Sequence, residues 1–109
     1  MESLDAFRAL ELRVGRIVRA AHHPAARKPA YQLWIDFGAL GEKGSSAQLT
    51  DLYGVDDLVG RLVIAAVNLD SRNIGGFVSE VLVLGLPDSA NRVVLLSVER
   101  EVPLGGRVY

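Results

Sequence analysis

The chain reads as an all-β domain whose short, strongly curved strands close into a small barrel. Three observations predict it. Period-two alternation of apolar and polar residues recurs in short runs, with Tyr31 to Phe37 the clearest. Glycine and proline clusters separate these runs at short intervals. Only two segments carry helical spacing, and both are brief. With 109 residues and 50% hydrophobic side chains, the chain suits one domain, residues 1–109. A chain of that size buries roughly two thirds of its unfolded surface without disulfides.

Each element follows from local chemistry. Ser3 can cap a short helix in which Leu4, Phe7 and Leu10 share one side, and Asp5 suits the positive end of its dipole. So short a helix is marginal alone and must pack on the domain or on another subunit. From Leu10 the period becomes two: Leu10, Leu12 and Val14 face one way, Glu11 and Arg13 the other. Past Gly15 the alternation fails, which predicts a bulge or sharp coil at that glycine. Pro24 and Pro29 bracket a loop from His22 to Ala30. A second strand follows, with Tyr31, Leu33, Ile35 and Phe37 inward and Gln32, Trp34 and Asp36 outward. Gly38 to Gly44 turns the chain into a third strand, Ser45 to Thr50. Asp51 to Leu58 makes one helical turn between the third and fourth strands. Arg61 to Val67 is apolar on both faces and therefore interior.

The stretch from Asn68 to Gly85 supplies a polar loop, Asp70 to Gly76, and then a fifth strand, Phe77 to Leu86, apolar enough to be core. Val93 to Val98 pairs with it after a turn at Pro87 to Asn91, and the tail from Pro103 to Tyr109 carries turn chemistry and a short extended end. Five or six short strands with one small helix between the third and fourth suggest a five-stranded OB-type barrel. An SH3-like barrel is the alternative.

Composition removes several kinds of function. There is no cysteine, so disulfides and thiolate metal sites are excluded. The start of the chain lacks a signal-peptide pattern, and no apolar run approaches the roughly 18 residues of a membrane span. No membrane insertion and a cytoplasmic location are the expectation. His22 and His23 are adjacent, project to opposite faces of a strand and read as surface histidines rather than metal ligands. Gly75-Gly76 lacks phosphate-loop spacing, and no serine sits in a nucleophile-elbow pattern. Catalysis is not expected, nor a cofactor.

The net charge of −1 conceals an asymmetry: residues 1–28 hold six basic and three acidic groups, the rest six basic and ten acidic. Such a stretch serves nucleic acid or acidic peptides when it clusters in space, and is otherwise a solvated face. Trp34, the only tryptophan, lies on an outer face. Cover by the helix or tail, or a subunit interface, is favoured there over a ligand contact. Phe77 is either a stacking platform or the first core residue of the fifth strand, with core favoured.

Taken together, LRVGRIV (12–18), HPAARK (23–28), IDFG (35–38), SSAQLT (45–50), AVNL (66–69) and GFVSEVLVLGLP (76–87) occur in an order that resembles the tRNA-binding domain family. That family comprises a standalone tRNA-binding protein and modules appended to methionyl- and phenylalanyl-tRNA synthetases. The likeness runs from Phe7 to Val108. Within the family the chain is most similar to export-related chaperones of the CsaA type, through SSAQLT and SEVLVLG.

The resemblance implies an OB-fold homodimer whose N-terminal helix and C-terminal extension build the interface, with Leu4, Phe7 and Trp34 as candidate interface residues. It also implies binding without catalysis. The ligands would be unfolded or preprotein polypeptides in the chaperone branch, with a secretion component as a further partner, and tRNA in the wider family. Lys28, Asn68, Arg72 and Ser79 match positions of the family's binding face, while Ile74 and Phe77, with Leu69 and Val78, offer apolar surface there. CsaA-type chains usually carry Pro-Pro-Arg-Arg after the Asn-Phe pair and a basic residue before Ser-Glu-Val. Here those places hold Asp70-Ser71-Arg72-Asn73 and Val78. Phosphate binding scales with the cations that neutralise it, so the departures favour polypeptide over tRNA, whose binding should be weak. A standalone tRNA-binding protein is the alternative.

Overall fold

The computed structural model describes residues 2–109, and the alternation of its second strand sets the architecture. β1 (Leu12–His22) and β2 (Tyr31–Asp36) pair antiparallel, and β3 (Glu42–Ala47) pairs with the far side of β2 in unbroken register from Tyr31↔Ala47 to Asp36↔Glu42. β4 (Leu62–Ala66) lies against the other side of β1. The next two strands, β5 (Arg72–Ile74) and β6 (Phe77–Ser79), form a separate hairpin. β7 (Leu82–Val83) then completes a five-stranded sheet in the order β3-β2-β1-β4-β7, and a last hairpin pairs β8 (Gly85–Pro87) with β9 (Val93–Leu95).

The sheet curls until its ends meet. The Gly44 carbonyl accepts the amides of Glu80 at 2.8 Å and Val81 at 3.3 Å, while the Glu80 carboxylate accepts the Gly44 amide at 2.8 Å. The Ser45 hydroxyl, itself buried, donates to the Val81 carbonyl at 2.9 Å. The product is a nearly closed five-strand barrel of OB type, as expected. Its interior holds Ile17, Leu33, Ile35, Phe37 and Val63, and α2 (Val55–Leu58) plugs one end with the fully buried Leu58. Each such side chain contributes about 1.5–3 kcal/mol by leaving water.

β4 is buried along its whole length because both its faces are covered. Val63 and Ala65 face the barrel interior. Leu62 and Ile64 face outward into a second cluster with Val14, roofed by Leu84, Leu96, Leu104 and Val108. The tail holds that roof down along β1: Gly105 donates to the Val14 carbonyl at 2.8 Å, and Val108 to the Leu12 carbonyl at 2.8 Å.

Four expectations about elements are corrected. The bulge in β1 falls between Ile17 and Arg19, not at Gly15, which stays in register opposite Val63. Leu12 and Val14 face the outer cluster, so the inward set is Gly15 and Ile17, and no switch of faces is needed before Val18. The helix α1 (Ser3–Ala9) starts after Glu2 with no side-chain cap, which puts Ser3 inside the helix. β3 begins at Glu42, because a single 3-10 turn, Gly38–Leu40, reverses the chain sooner than seven residues of loop would. Finally, Phe77 to Leu86 is not one core strand. Val81 is buried at the barrel seam, but Val78, Leu82 and Leu86 are exposed, since the run changes neighbours from β5 to β4 to β9.

Gly15 is required by packing. A Cβ there would meet Ile35 Cγ2 at 2.6 Å and the Phe37 ring at 2.7 Å. Gly15→Ala should lower stability by about 1–3 kcal/mol through overpacking, read as a lower urea midpoint with an unchanged slope.

Candidate functional site

Past the Gly44 seam, β3 has no main-chain partner on its outer edge, and a groove lies over it. Ser46 and Gln48 form the floor. The β5–β6 hairpin makes one wall, and the loop between Pro24 and Pro29 makes the other. The half nearer that loop encloses about 490 Å³ among Ala25, Arg27, Lys28, Ala30, Asn73 and Ile74. On the other side of Ile74 lies a further 580 Å³ or so, among Leu69, Asp70, Arg72, Ser79, Glu80 and Leu82.

The hairpin wall is held in three ways. Gly75 and Gly76 have φ of 57° and 87°, both positive as a two-residue type I′ turn between paired strands requires. At the tip, Gly75 lies so close to Ala25 that a Cβ would come within 2.6 Å of its methyl and 2.8 Å of its carbonyl oxygen. Behind the hairpin, the Phe77 ring covers Gly44 and meets Trp34 edge-on at 5.4 Å and His23 at 5.7 Å. The Arg19 guanidinium lies 4.2 Å over the Trp34 ring, a cation–π contact.

Four of the anticipated binding residues share the groove: Lys28, Arg72, Ile74 and Ser79. The Ser79 hydroxyl accepts the Ser46 amide at 3.0 Å and so joins wall to floor. Phe77 is half-buried and supports the hairpin from behind, neither a free platform nor barrel core. Asn68 lies outside the groove lining. Its amide donates to the Ala9 carbonyl at 2.8 Å and accepts the Glu11 amide at 2.8 Å, latching α1 to the barrel.

Of the interface candidates, Leu4 and Phe7 meet in a separate cleft with Arg107, Val108 and Tyr109, and remain 55% and 39% exposed. Trp34 is elsewhere. Its ring packs on Arg19 and Phe77, so of the two expectations, cover by the helix or tail and a subunit interface, the first is not what these contacts supply.

His23 corrects the expectation of two surface histidines. It is 3% exposed, because the chain turns at Pro24 and ties the His23 amide to the Ala30 carbonyl at 3.0 Å. Its Nδ1 lies 2.8 Å from the Ser46 hydroxyl. Ser46, Gln48 and Ala25 were not expected at a site, and His23 was expected at the surface. The Gly75-Gly76 pair, read as a hairpin turn rather than a loop, would have pointed toward them.

The carboxyls held below their ordinary range all lie outside the groove: Glu11 by the hydrogen bond from Arg13, Glu101 by that from Arg16, and Asp88 by the amides of Arg92 and Ala90. Among the described residues, no three of His, Cys, Asp and Glu converge as a metal site would need, and no helix is long and apolar enough to cross a membrane.

The site is thus an open groove on an OB-type barrel, with a floor of Ser46 and Gln48 and walls that mix aliphatic and polar side chains. The chain belongs to the putative tRNA binding domain family, whose model matches residues 12–107. It is 37% identical over 102 residues to methionine–tRNA ligase of Thermococcus onnurineus, a match that takes in 94% of this chain and only 14% of the ligase. It is similar over its whole length to solved CsaA chaperones. With that of Bacillus anthracis it shares 44% identity at a TM-score of 0.90, covering 100% of this chain and 99% of the other. With that of Picrophilus torridus the values are 39% and 0.92, covering 100% of both.

Gly75→Ala should combine a strained positive φ with the clash on Ala25 and lift the hairpin tip, at about 1–2 kcal/mol from backbone strain alone. Trp34 emission should shift with it, through Phe77. Gly41→Ala, also at positive φ but facing open space, should lower stability without moving the emission.

Proposed function

We propose that the protein is a non-catalytic chaperone of CsaA type that captures extended segments of non-native or export-bound polypeptides in the β3 groove. The observation that carries this is the chemistry of the groove. Ile74 stands at its middle between two aliphatic-walled halves, and its cations are confined to Arg27 and Lys28 at one end and Arg72 at the other. Arg72 shares its half with Asp70 and Glu80. Apolar walls beside an unpaired strand edge suit a polypeptide main chain with mixed side chains. The same three cations support tRNA as the second reading. The absence of cysteine suits a reducing cytoplasm, and a secretion component is the natural recipient of a captured preprotein.

The deciding experiment measures bulk tRNA and a permanently unfolded protein side by side at two salt concentrations. Polypeptide affinity should change little between about 50 and 200 mM salt. Any tRNA binding should fall about 10³-fold or more if all the groove cations of a dimer contact phosphate. Binding of tRNA at about 150 mM salt with no binding of the unfolded protein would reverse the ranking.

The active form in this proposal is a homodimer formed through the exposed cleft of Leu4, Phe7 and Val108. Light scattering at micromolar concentration should give twice the chain mass, and the double change Leu4→Asp/Phe7→Asp should yield monomer or unfolded chain. A monomeric wild-type protein at that concentration would remove this part of the proposal.

A further inference from the structure

Ser46 lies on the floor of both halves of the groove, with its hydroxyl 2.8 Å from Nδ1 of His23. The ring behind it is buried, packed edge-on to Phe77, and its Nε2 has no hydrogen-bond partner among the described residues. A neutral imidazole carries its proton on one nitrogen only, so two arrangements exist. With the proton on Nε2, a buried N–H faces no acceptor, and Ser46 must give its hydroxyl hydrogen to Nδ1. With the proton on Nδ1, the ring donates to Ser46 Oγ, only a bare lone pair is left on Nε2, and the hydroxyl hydrogen is free. Orphaned buried N–H groups are rarer in proteins than under-satisfied acceptors. The second arrangement is therefore favoured. The Ser46 amide is already given to Ser79, which leaves the hydroxyl as the donor that this residue offers the groove.

We propose that His23 is a positioning residue that fixes the Ser46 hydroxyl as a hydrogen-bond donor at the centre of the groove, where it takes a main-chain carbonyl of an extended polypeptide. The inference rests on the groove function given above. Ser46 lines both halves of the groove beside the terminal strand edge of its sheet, and an extended segment crossing it has main-chain carbonyls to present along its length. The Ser46 hydroxyl is a neutral donor that shares one half of the groove with Ile74, Ala30, Gln48 and, at one end, Arg27 and Lys28. A neutral hydroxyl suits an amide carbonyl, whereas a phosphate draws on charged partners.

The test has two arms. Nitrogen-15 correlation spectra of the free wild-type protein should show His23 in the Nδ1–H form. Binding is then measured with reduced, carboxymethylated lactalbumin as the unfolded probe. Ser46→Ala should weaken it about three- to tenfold, the loss of one hydrogen bond. His23→Phe should weaken it as much in the wild-type background but not further in the Ser46→Ala background. His23→Asn, which places an amide N–H near the Nδ1 position, should recover most of the affinity and guards against a misfolded phenylalanine variant. An Nε2–H tautomer overturns the inference, as does a His23→Phe loss of equal size in both backgrounds. A wild-type protein that binds tRNA but not the unfolded probe overturns this inference and the groove function together. Probe binding combined with the Nε2–H form overturns this one alone.

Discussion

The contact between Gly44 and the segment Ser79–Val81 is the constraint on which the rest of the fold depends. Without it the sheet would have two open edges, β3 and β7, and unpaired edges invite non-native pairing. The approach needs a residue with no side chain: a Cβ on Gly44 would lie 2.9 Å from the Val78 carbonyl and 3.1 Å from the Phe77 ring. Glycine makes the seam narrow enough for main-chain bonds, and Ser45, Ser79 and Glu80 extend it with side chains. The seam is also short. Main-chain pairing there involves only Gly44 on the β3 side. Past it the Ser46 amide is taken by the Ser79 hydroxyl rather than by a strand, and the groove opens over Ser46 and Gln48. Closure of the barrel and the opening of the groove are two consequences of one contact.

The same economy appears in the hairpin that forms the groove wall. Phe77 touches the seam glycine, the tryptophan of β2 and the buried His23 at once. The wall, the floor and the outer face of β2 therefore share one aromatic support. Glu80, although it lines the groove, commits a carboxylate oxygen to the Gly44 amide. Asn68 plays a comparable part at the far end of the same loop, where it anchors α1 rather than facing a ligand. A residue can thus match a family's binding position in sequence and, in this chain, have its polar atoms turned to internal bonds.

Much of the barrel was legible because burial in β2 alternates cleanly and β4 is apolar throughout. The failures have a common physical origin. Periodicity reports that a face is covered, not what covers it. Leu12 and Val14 looked like barrel interior, yet they sit under the C-terminal tail in a second cluster, which moved the bulge from Gly15 to the far side of Ile17. The run from Phe77 to Leu86 looked like a single buried strand because aliphatic residues are continuous there, while the chain passes among three partners and leaves Val78, Leu82 and Leu86 exposed. In the site, Lys28, Arg72 and Ser79 were marked by the family resemblance and Ile74 by its apolar side chain. His23 and Ser46 lie in two of the motifs, HPAARK and SSAQLT, but their meeting was not legible, since the contact joins residues 23 apart in the chain.

The structure also decides what the basic first quarter of the chain means. Arg13 binds the Glu11 carboxylate and the Gly105 carbonyl, Arg16 reaches Glu101 and the Gly60 carbonyl, and Arg19 stacks on Trp34. These arginines fasten strand β1 to the tail, to the turn before β4 and to the aromatic support. They do not form a common face toward a ligand. Of that quarter, Arg27 and Lys28 are left at the groove, where Arg72 stands at the other end. The charge asymmetry of the sequence is largely a property of the scaffold. What remains at the groove is a floor of Ser46 and Gln48 between walls that mix aliphatic and polar side chains, and in the proposed function these meet a polypeptide that contributes its own main-chain hydrogen bonds.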